Sequence, residues 1–382
     1  MCFLAESKIN RIVFLSTVTD SFPKRHKGPS LTSPQRPTMR LASGHVAVQL
    51  HGEELTKIQK DFKGFGKGLV RLTPGGWLLP APYTKFADKI YNTEFRASDV
   101  VIMTYPKCGT TWTQEVVWTM RNNPNFNHPK AGIPVKARSP FVDSDMLAHL
   151  GKDVLNSELL ELVKDIVPHP DPDEGLALQL TANIPDPRTI KTHLPFSLMT
   201  PNLLDTAKVI YVARNPKDVV LSFHHHSRLM KSMSYVGSLD QYVDYFINDQ
   251  LIYGPYWEHL REAWPRRDHP NMHFVFYEDM KADPMAELRK LNQFLGTDLT
   301  EEQLEKIAHY TSFEEMKRRD DFYREKEMQR LDQEVSKKDG GFFRKGEAGS
   351  WKGHLTDTQE AKINAWTKDN SQKLGITFRY SL

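Results

Sequence analysis

The sequence predicts an α/β fold, a single domain with a central parallel β-sheet flanked by helices. Four short runs carry the first observation: Val100–Tyr105 (VVIMTY), Thr189–Thr192 (TIKT), Lys208–Arg214 (KVIYVAR) and Met272–Tyr277 (MHFVFY). They are rich in β-branched and aromatic residues and nearly continuous in apolar character, as strands covered on both faces are. Helical patterns lie between and after them, at Thr111–Arg121, Ser157–Ile166, Pro216–Leu229, Leu239–Trp264 in pieces, Pro284–Phe294 and Glu301–His309. Strand followed by helix, repeated, implies parallel pairing through crossover connections. No internal repeat and no Gly/Ser linker divides the chain after residue 60.

The 382 residues include 51 basic and 48 acidic side chains, a net charge of +3. That balance argues against binding nucleic acid or membrane through an overall field, so any anion preference has to be local. Two cysteines, Cys2 and Cys108, make no disulfide framework, and a cytoplasmic location is the expectation. No apolar run reaches the length of a membrane span, and Ile12–Leu15 is too short for a signal-peptide core.

Residues 1–45 read as a disordered basic tail, because four prolines interrupt them and seven Lys/Arg by residue 40 face only Glu6 and Asp20. A mitochondrial presequence and a start at Met39 are the alternatives. The folded domain is expected over 55–382. Within it Asp320–Gly341, crowded with charge, is expected as a long surface loop or loose helix of the kind that closes over ligands.

The stretch TYPKCGTTW at 104–112 stands between a strand and a helix. Pro106 stops the ladder, Gly109 permits a tight turn, and the helix opening at Thr110 or Thr111 aims backbone N–H groups and a positive dipole end at one spot. Lys107 adds an ammonium. This is an anion cradle, or an ordinary turn with a Thr cap; Lys107 precedes the glycine, so it is not the loop of triphosphate enzymes. Cys108 is either a reactive thiol near a helix start or a small turn filler.

A second basic cluster stands at KVIYVARNPKDVVLS, 208–222. Asn215, Pro216 and Asp218 specify a helix start, which leaves Arg214 at the carboxyl end of a strand, where α/β sheets bind ligands. Arg214 and Ser222 are candidates to hold a second anion. Lys191-Thr192-His193 closes another strand and puts a cation and a candidate general base on the same rim. The triplet His224-His225-His226 does not converge on one metal ion if helical, because consecutive residues point in different directions. Phe342-Phe343-Arg344-Lys345-Gly346 is by itself a basic patch, and Thr311–Met316 by itself a helix start.

Taken together, TYPKCGTTW, KTHLP at 191–195, YVARNPKDVVLSFHH at 211–225, FYEDMKADP at 276–284, TSFEEMK at 311–317 and FFRKGEAGSWK at 342–352 resemble the cytosolic sulfotransferases over roughly residues 60–382. Those enzymes use 3′-phosphoadenylyl sulfate (PAPS) and release adenosine 3′,5′-bisphosphate (PAP), with no metal. The resemblance implies a P-loop-like 5′-phosphosulfate loop of Lys107, Cys108, Gly109, Thr110 and Thr111, with Trp112 stacked on adenine. It assigns Arg214, Ser222 and Arg344-Lys345-Gly346 to the 3′-phosphate, and Tyr277, Thr311, Phe313, Met316, Phe342 and Phe343 to the rest of the nucleotide pocket. His193 is implied as general base, with Lys107, Lys191 and Ser222 completing the catalytic set.

By the same resemblance the acceptor is a small hydroxyl compound held by Trp77, Tyr83, Phe141, Lys191, His193 and His226, with Pro80–Tyr83 and the loops around 145–175 and 230–255 as further walls. His226 stands where family members often carry an aromatic, which implies a more polar pocket. Two departures stand out. Cys108 replaces the commoner Ser, and the family's homodimer motif begins at Lys352 and Thr356 but continues with Asp357 and has Ala361 at its Glu position. A nucleotide-binding protein without turnover on the same fold is the alternative reading.

Overall fold

The computed structural model describes residues 38–148, 163–319 and 330–380. Its first strands, β1 (Thr38–Arg40), β2 (Val46–Gln49), β3 (Leu69–Thr73) and β4 (Leu78–Pro80), form an antiparallel sheet in sequence order. This sheet corrects two expectations: the sequence predicts none of its strands, and β1 with the turn after it falls inside the segment 1–45 expected as a disordered tail. The hairpin is held because Gly44 takes the positive φ of its turn (+81°), Leu41 N–H donates to the His45 carbonyl at 2.9 Å, and Leu41, His45 and Ala47 are buried. The part of the tail expectation that concerns residues 1–37 lies outside the described residues.

The second sheet has the predicted strands, β5 (Val100–Thr104), β6 (Thr189–Thr192), β7 (Lys208–Ala213) and β8 (Met272–Phe276). All pairings are parallel, in the order β6-β5-β7-β8. Every residue of β5 is buried. Val101 and Met103 pack on one face with Ile190, Val209 and Tyr211, while Val100 and Ile102 pack on the other with Val116, Ile210 and Val212. Two covered faces are the reason its sequence is apolar without alternation.

Helices cover Thr110–Asn122, Pro216–Leu229, Leu239–Ile247, Tyr256–Ala263, Pro284–Leu295 and Glu301–Tyr310, where the sequence places them. Local capping sets their starts. The Asn215 side chain accepts from Asp218 N–H at 2.9 Å, Asp283 caps the helix opened by Pro284, and Thr300 with Gln303 forms a capping box. Of the predicted Ser157–Ile166 helix only residues 163–166 are described, and two of these are helical.

One long helix, Asp357–Leu374, has no counterpart among the predicted elements; Thr356 caps it through a box with Gln359. In the charged segment expected as a long surface loop or loose helix, residues 320–329 lie outside the described residues. The rest is anchored rather than loose. Leu331 is buried and bridges to Met230, Gln333–Asp339 is a helix, and Asp339 pairs with Arg228 at 2.7 Å. Among the described residues no helix is long and apolar enough to cross a membrane.

Candidate active site

The parallel sheet delivers four side chains to one rim in strand order: His193 after β6, Lys107 after β5, Arg214 after β7 and Tyr277 after β8. The chain leaves β5 for β6 on one side and leaves β7 for β8 on the other, so the two central loops diverge and leave a crevice between them. A cavity of about 1000 Å³ fills that crevice and is lined by all four residues.

In the loop after β5, Lys107 has a φ of +70° and Gly109 a φ of +101°, with Gly109 as N-cap of the Thr110–Asn122 helix. A Cβ at Gly109 would lie 2.6 Å from the Tyr277 ring, so position 109 needs glycine for both backbone and space. Trp112 meets Tyr277 edge-on at 5.9 Å. Across the crevice Arg214 donates to the Lys107 carbonyl at 3.2 Å and to the Glu347 carbonyl at 2.9 Å, and it stacks over Tyr277 at 4.3 Å.

Those contacts draw the Phe342–Glu347 segment over the site. Gly346, at φ +65°, touches the Phe313 ring so closely that a Cβ would lie 2.2 Å from it. Asp218 fastens the next few residues, accepting from Gly349 N–H (2.7 Å), Ser350 Oγ (3.0 Å) and Trp351 N–H (3.1 Å). A buried carboxylate with this many donors is satisfied without a counter-ion alone.

Positive charge is crowded here. Burial, then the nearby Lys191, Arg214 and Arg344, push the Lys107 ammonium down to about 7. Burial pushes Lys191 down to about 8 against the opposing pull of Asp143. Burial and Arg214 lower Arg344 as well. A ligand with several negative charges relieves this repulsion, and a neutral one does not.

His193 Nδ1 lies 2.9 Å from the Thr104 carbonyl and 3.2 Å from Thr104 Oγ1, which also meets Thr110 Oγ1 at 2.7 Å. Burial first, and Lys191 next, hold this imidazole well below its ordinary pKa, so it is neutral. Its backbone is fixed on both sides. The N–H donates to the buried Asp143 carboxylate at 3.3 Å, and the carbonyl accepts from His259 Nε2 at 3.1 Å, whose Nδ1 in turn accepts from Tyr211 at 2.7 Å. Burial pushes Asp143 up to about 6, offset by the Tyr253 and Thr192 hydroxyls and Lys191.

Besides these residues the cavity is lined by Thr110, Thr111, Trp112, Phe141, Ser222, His226, Thr311, Phe313, Met316, Phe342, Phe343, Arg344, Lys345 and Gly346. Phe141 is held beside Lys191 by a strand-like bridge, with the ammonium 4.0 Å from its ring centre. Six expected residues, Trp77, Pro80, Ala81, Pro82, Tyr83 and Cys108, do not line the cavity. The Cys108 side chain is fully buried under the loop with Sγ 3.9 Å from the Pro106 carbonyl, and burial pushes its thiol up, which makes it a turn filler and not a reactive group. Trp77 and Tyr83 belong to the core, Trp77 edge-on to His259 at 6.2 Å; the rest of Pro80–Tyr83 is likewise absent from the lining.

Sequence reasoning missed Asp143, which supports His193 and stands in no motif. Tyr253, whose ring meets His193 at 5.4 Å, falls in the loop expected around 230–255 but was not singled out. The histidine triplet diverges as its helical spacing requires: His224 lies against Tyr235 and Tyr242, His225 bonds the Gly341 carbonyl at 3.1 Å, and His226 meets Phe342 and Phe223; His225 and His226 both reach the cavity lining.

Residues 97–377 match the sulfotransferase domain family. The chain is 30% identical over 292 residues to the luciferin sulfotransferase of Photinus pyralis, covering 75% of each chain, and 33% identical over 301 residues to sulfotransferase 1C2 of Rattus norvegicus, covering 78% of this chain and 90% of that one. The crystal structure of retinol dehydratase in complex with retinol and PAP superposes with a TM-score of 0.74 at 32% identity, covering 88% of this chain and 99% of that one. A second structure of that protein holds androsterone and the inactive cofactor PAP, with a TM-score of 0.74 at 32% identity over 87% of this chain and 98% of that one. On the strength of the matched domain and these relatives, this chain belongs to the sulfotransferase family.

Proposed function

We propose that this chain moves the sulfuryl group of PAPS to the hydroxyl, or the amine, of a small phenolic or alcohol acceptor, with His193 as general base. The observation that carries this reading is a neutral imidazole and a crowd of cations, Lys107, Lys191, Arg214 and Arg344, facing one cavity. Because the Thr104 carbonyl can only accept, His193 carries its proton on Nδ1 and keeps the Nε2 lone pair.

In this scheme Nε2 takes the proton of the acceptor hydroxyl as its oxygen bonds to sulfur. The bond from sulfur to the bridging phosphate oxygen breaks, and PAP leaves. Lys107 and Lys191 stabilise the charge that gathers on the sulfuryl and bridging oxygens, which in a loose transition state is most of catalysis. They supply what a metal supplies to triphosphate enzymes, so the scheme calls for none. The donor's negative charge also offsets the cations that depress His193 and so restores its basicity.

The two ends of the donor correspond to the two anion sites, the loop at Lys107–Thr111 for the 5′-phosphosulfate and Arg214, Ser222 and Arg344–Gly346 for the 3′-phosphate. Trp112, Tyr277 and Phe313 provide flat surfaces for adenine between them, and Thr311 completes the nucleotide pocket. The PAP in the similar structures supports a donor of this class, and their retinol and androsterone, both alcohols, support an alcohol as acceptor. Transfer from labelled PAPS to a panel of phenols and alcohols tests the proposal. PAP binding without transfer to any acceptor would favour a nucleotide-binding protein without turnover.

A further inference from the structure

The main chains of His193 and Arg214 are both held by one face of one helix. The helix Tyr256–Ala263 carries Tyr256 and His259 three residues apart, so the two side chains leave it on the same side. The Tyr256 hydroxyl donates to the Arg214 carbonyl at 2.5 Å, and His259 Nε2 donates to the His193 carbonyl at 3.1 Å. His193 follows β6 and Arg214 follows β7, the two neighbours of β5 in the sheet. Each stands one residue past its last ladder pair, Met103 with Thr192 and Ala213 with Phe276. A strand no longer supplies a donor there, so a side chain has to.

Neither Tyr256 nor His259 lines the cavity, and both are buried. The His193 carbonyl only accepts, so His259 carries its proton on Nε2, and its Nδ1 accepts from the Tyr211 hydroxyl at 2.7 Å. Burial pushes this imidazole down to about 4, so the donor keeps its place across the neutral range. Tyr105, two residues before Lys107, meets both rings edge-on, 5.1 Å from Tyr256 and 6.0 Å from His259. The same pair therefore touches all three strand ends that carry the candidate base and the two anion sites.

We infer that Tyr256 and His259 are positioning residues, which together set the spacing between the His193 imidazole and the Arg214 guanidinium without touching either ligand. The inference rests on the sulfuryl-transfer reading of the cavity. In that reading one end of the donor is held at Arg214 while its sulfur meets an oxygen activated at His193, so the two ends have to be in register. A misplacement of about 1 Å costs such a site roughly 100-fold in rate. His259 acts through the base and shows in kcat; Tyr256 acts through the cation and shows in PAP affinity.

The test uses the full chain, labelled PAPS with a phenol for turnover, and PAP for calorimetry. His259→Leu should lower kcat roughly 10–100-fold with PAP affinity within about twofold, and His259→Gln, which keeps a donor there, should recover most of the loss. Tyr256→Phe, which removes a single oxygen, should weaken PAP roughly tenfold. In a His193→Ala background His259→Leu should cost no further kcat, and in an Arg214→Ala background Tyr256→Phe should cost no further PAP affinity, because the residue each one positions is gone. Losses of equal size in both backgrounds overturn the inference, as does full PAP affinity in Tyr256→Phe. Should His259→Leu fail to fold, the Tyr256 arm decides. If no acceptor takes the sulfuryl group, the transfer reading alone falls: PAP affinity and the nitrogen NMR signals of the His193 ring, which should shift away from the Nδ1–H form in His259→Leu, still decide this one.

Discussion

The Nδ1 atom of His193 sits 2.9 Å from the backbone carbonyl oxygen of Thr104. Thr104 ends β5 and His193 comes directly after β6, and the register that sets Met103 opposite Thr192 brings the two together. The tautomer of the candidate base is thereby set by strand pairing in the sheet, and not by a side chain that a single substitution removes. Everything proposed about proton transfer depends on this contact.

Ionisation limits the site on two sides. His193 is held below 6.5, so the base is free over the neutral range, whereas Lys107 at about 7 and Lys191 at about 8 lose their charge above it. Anion binding favours the protonated lysines, so affinity for PAP is full below about 7 and declines as pH rises through 7 and 8. Calorimetry in buffers of different ionisation enthalpy should show proton uptake on binding at pH 8. Proton release, or an affinity that rises with pH, would contradict the charges assigned here.

Asp218 ties the segment that carries Arg344–Gly346 to the Pro216–Leu229 helix through Gly349, Ser350 and Trp351. Asp218→Ala leaves these donors without their acceptor and the segment without its anchor. PAP affinity should fall roughly tenfold or more, and stability by about 1–3 kcal/mol. Titration of PAP and thermal unfolding of the variant check the two effects separately.

Gly109→Ala meets both a backbone at φ +101° and a Tyr277 ring 2.6 Å from the new methyl. The backbone alone costs about 1–3 kcal/mol. Gly296→Ala is the control, because φ is +69° there and nothing lies within 4 Å of the added carbon. The Gly109→Ala variant should lose PAP binding as well as stability, and the control should lose stability only.

The parallel sheet was legible because β5 and β7 are buried on both faces and write that burial into continuous apolar runs. The helix at Pro216 was legible because its cap is local. The antiparallel sheet was not, since β1 and β4 have three residues each, β1 is exposed and β4 ends on Pro80; runs so short show no period. The Asp357–Leu374 helix hid for another reason: two of its three buried residues, Gln359 and Thr367, are polar, so no apolar stripe marks it.

The cation sites were readable because each ends a strand and stands in a short pattern. Asp143 was not, and Tyr253 only as part of a loop, being 50 and 60 residues from His193 in sequence and joined to it only by the fold. Trp77 and Tyr83 were assigned to the acceptor wall by resemblance, but large aromatic side chains serve a core equally well, and here the core holds them.

The most direct measurement is the rate of sulfuryl transfer from labelled PAPS to a phenol by the wild type and by His193→Ala, at pH 7 and with PAP affinity measured in parallel. General-base catalysis of this kind contributes about 10²–10⁴-fold. The account predicts a loss in kcat of that order with PAP affinity retained. Equal rates in the two proteins would contradict it.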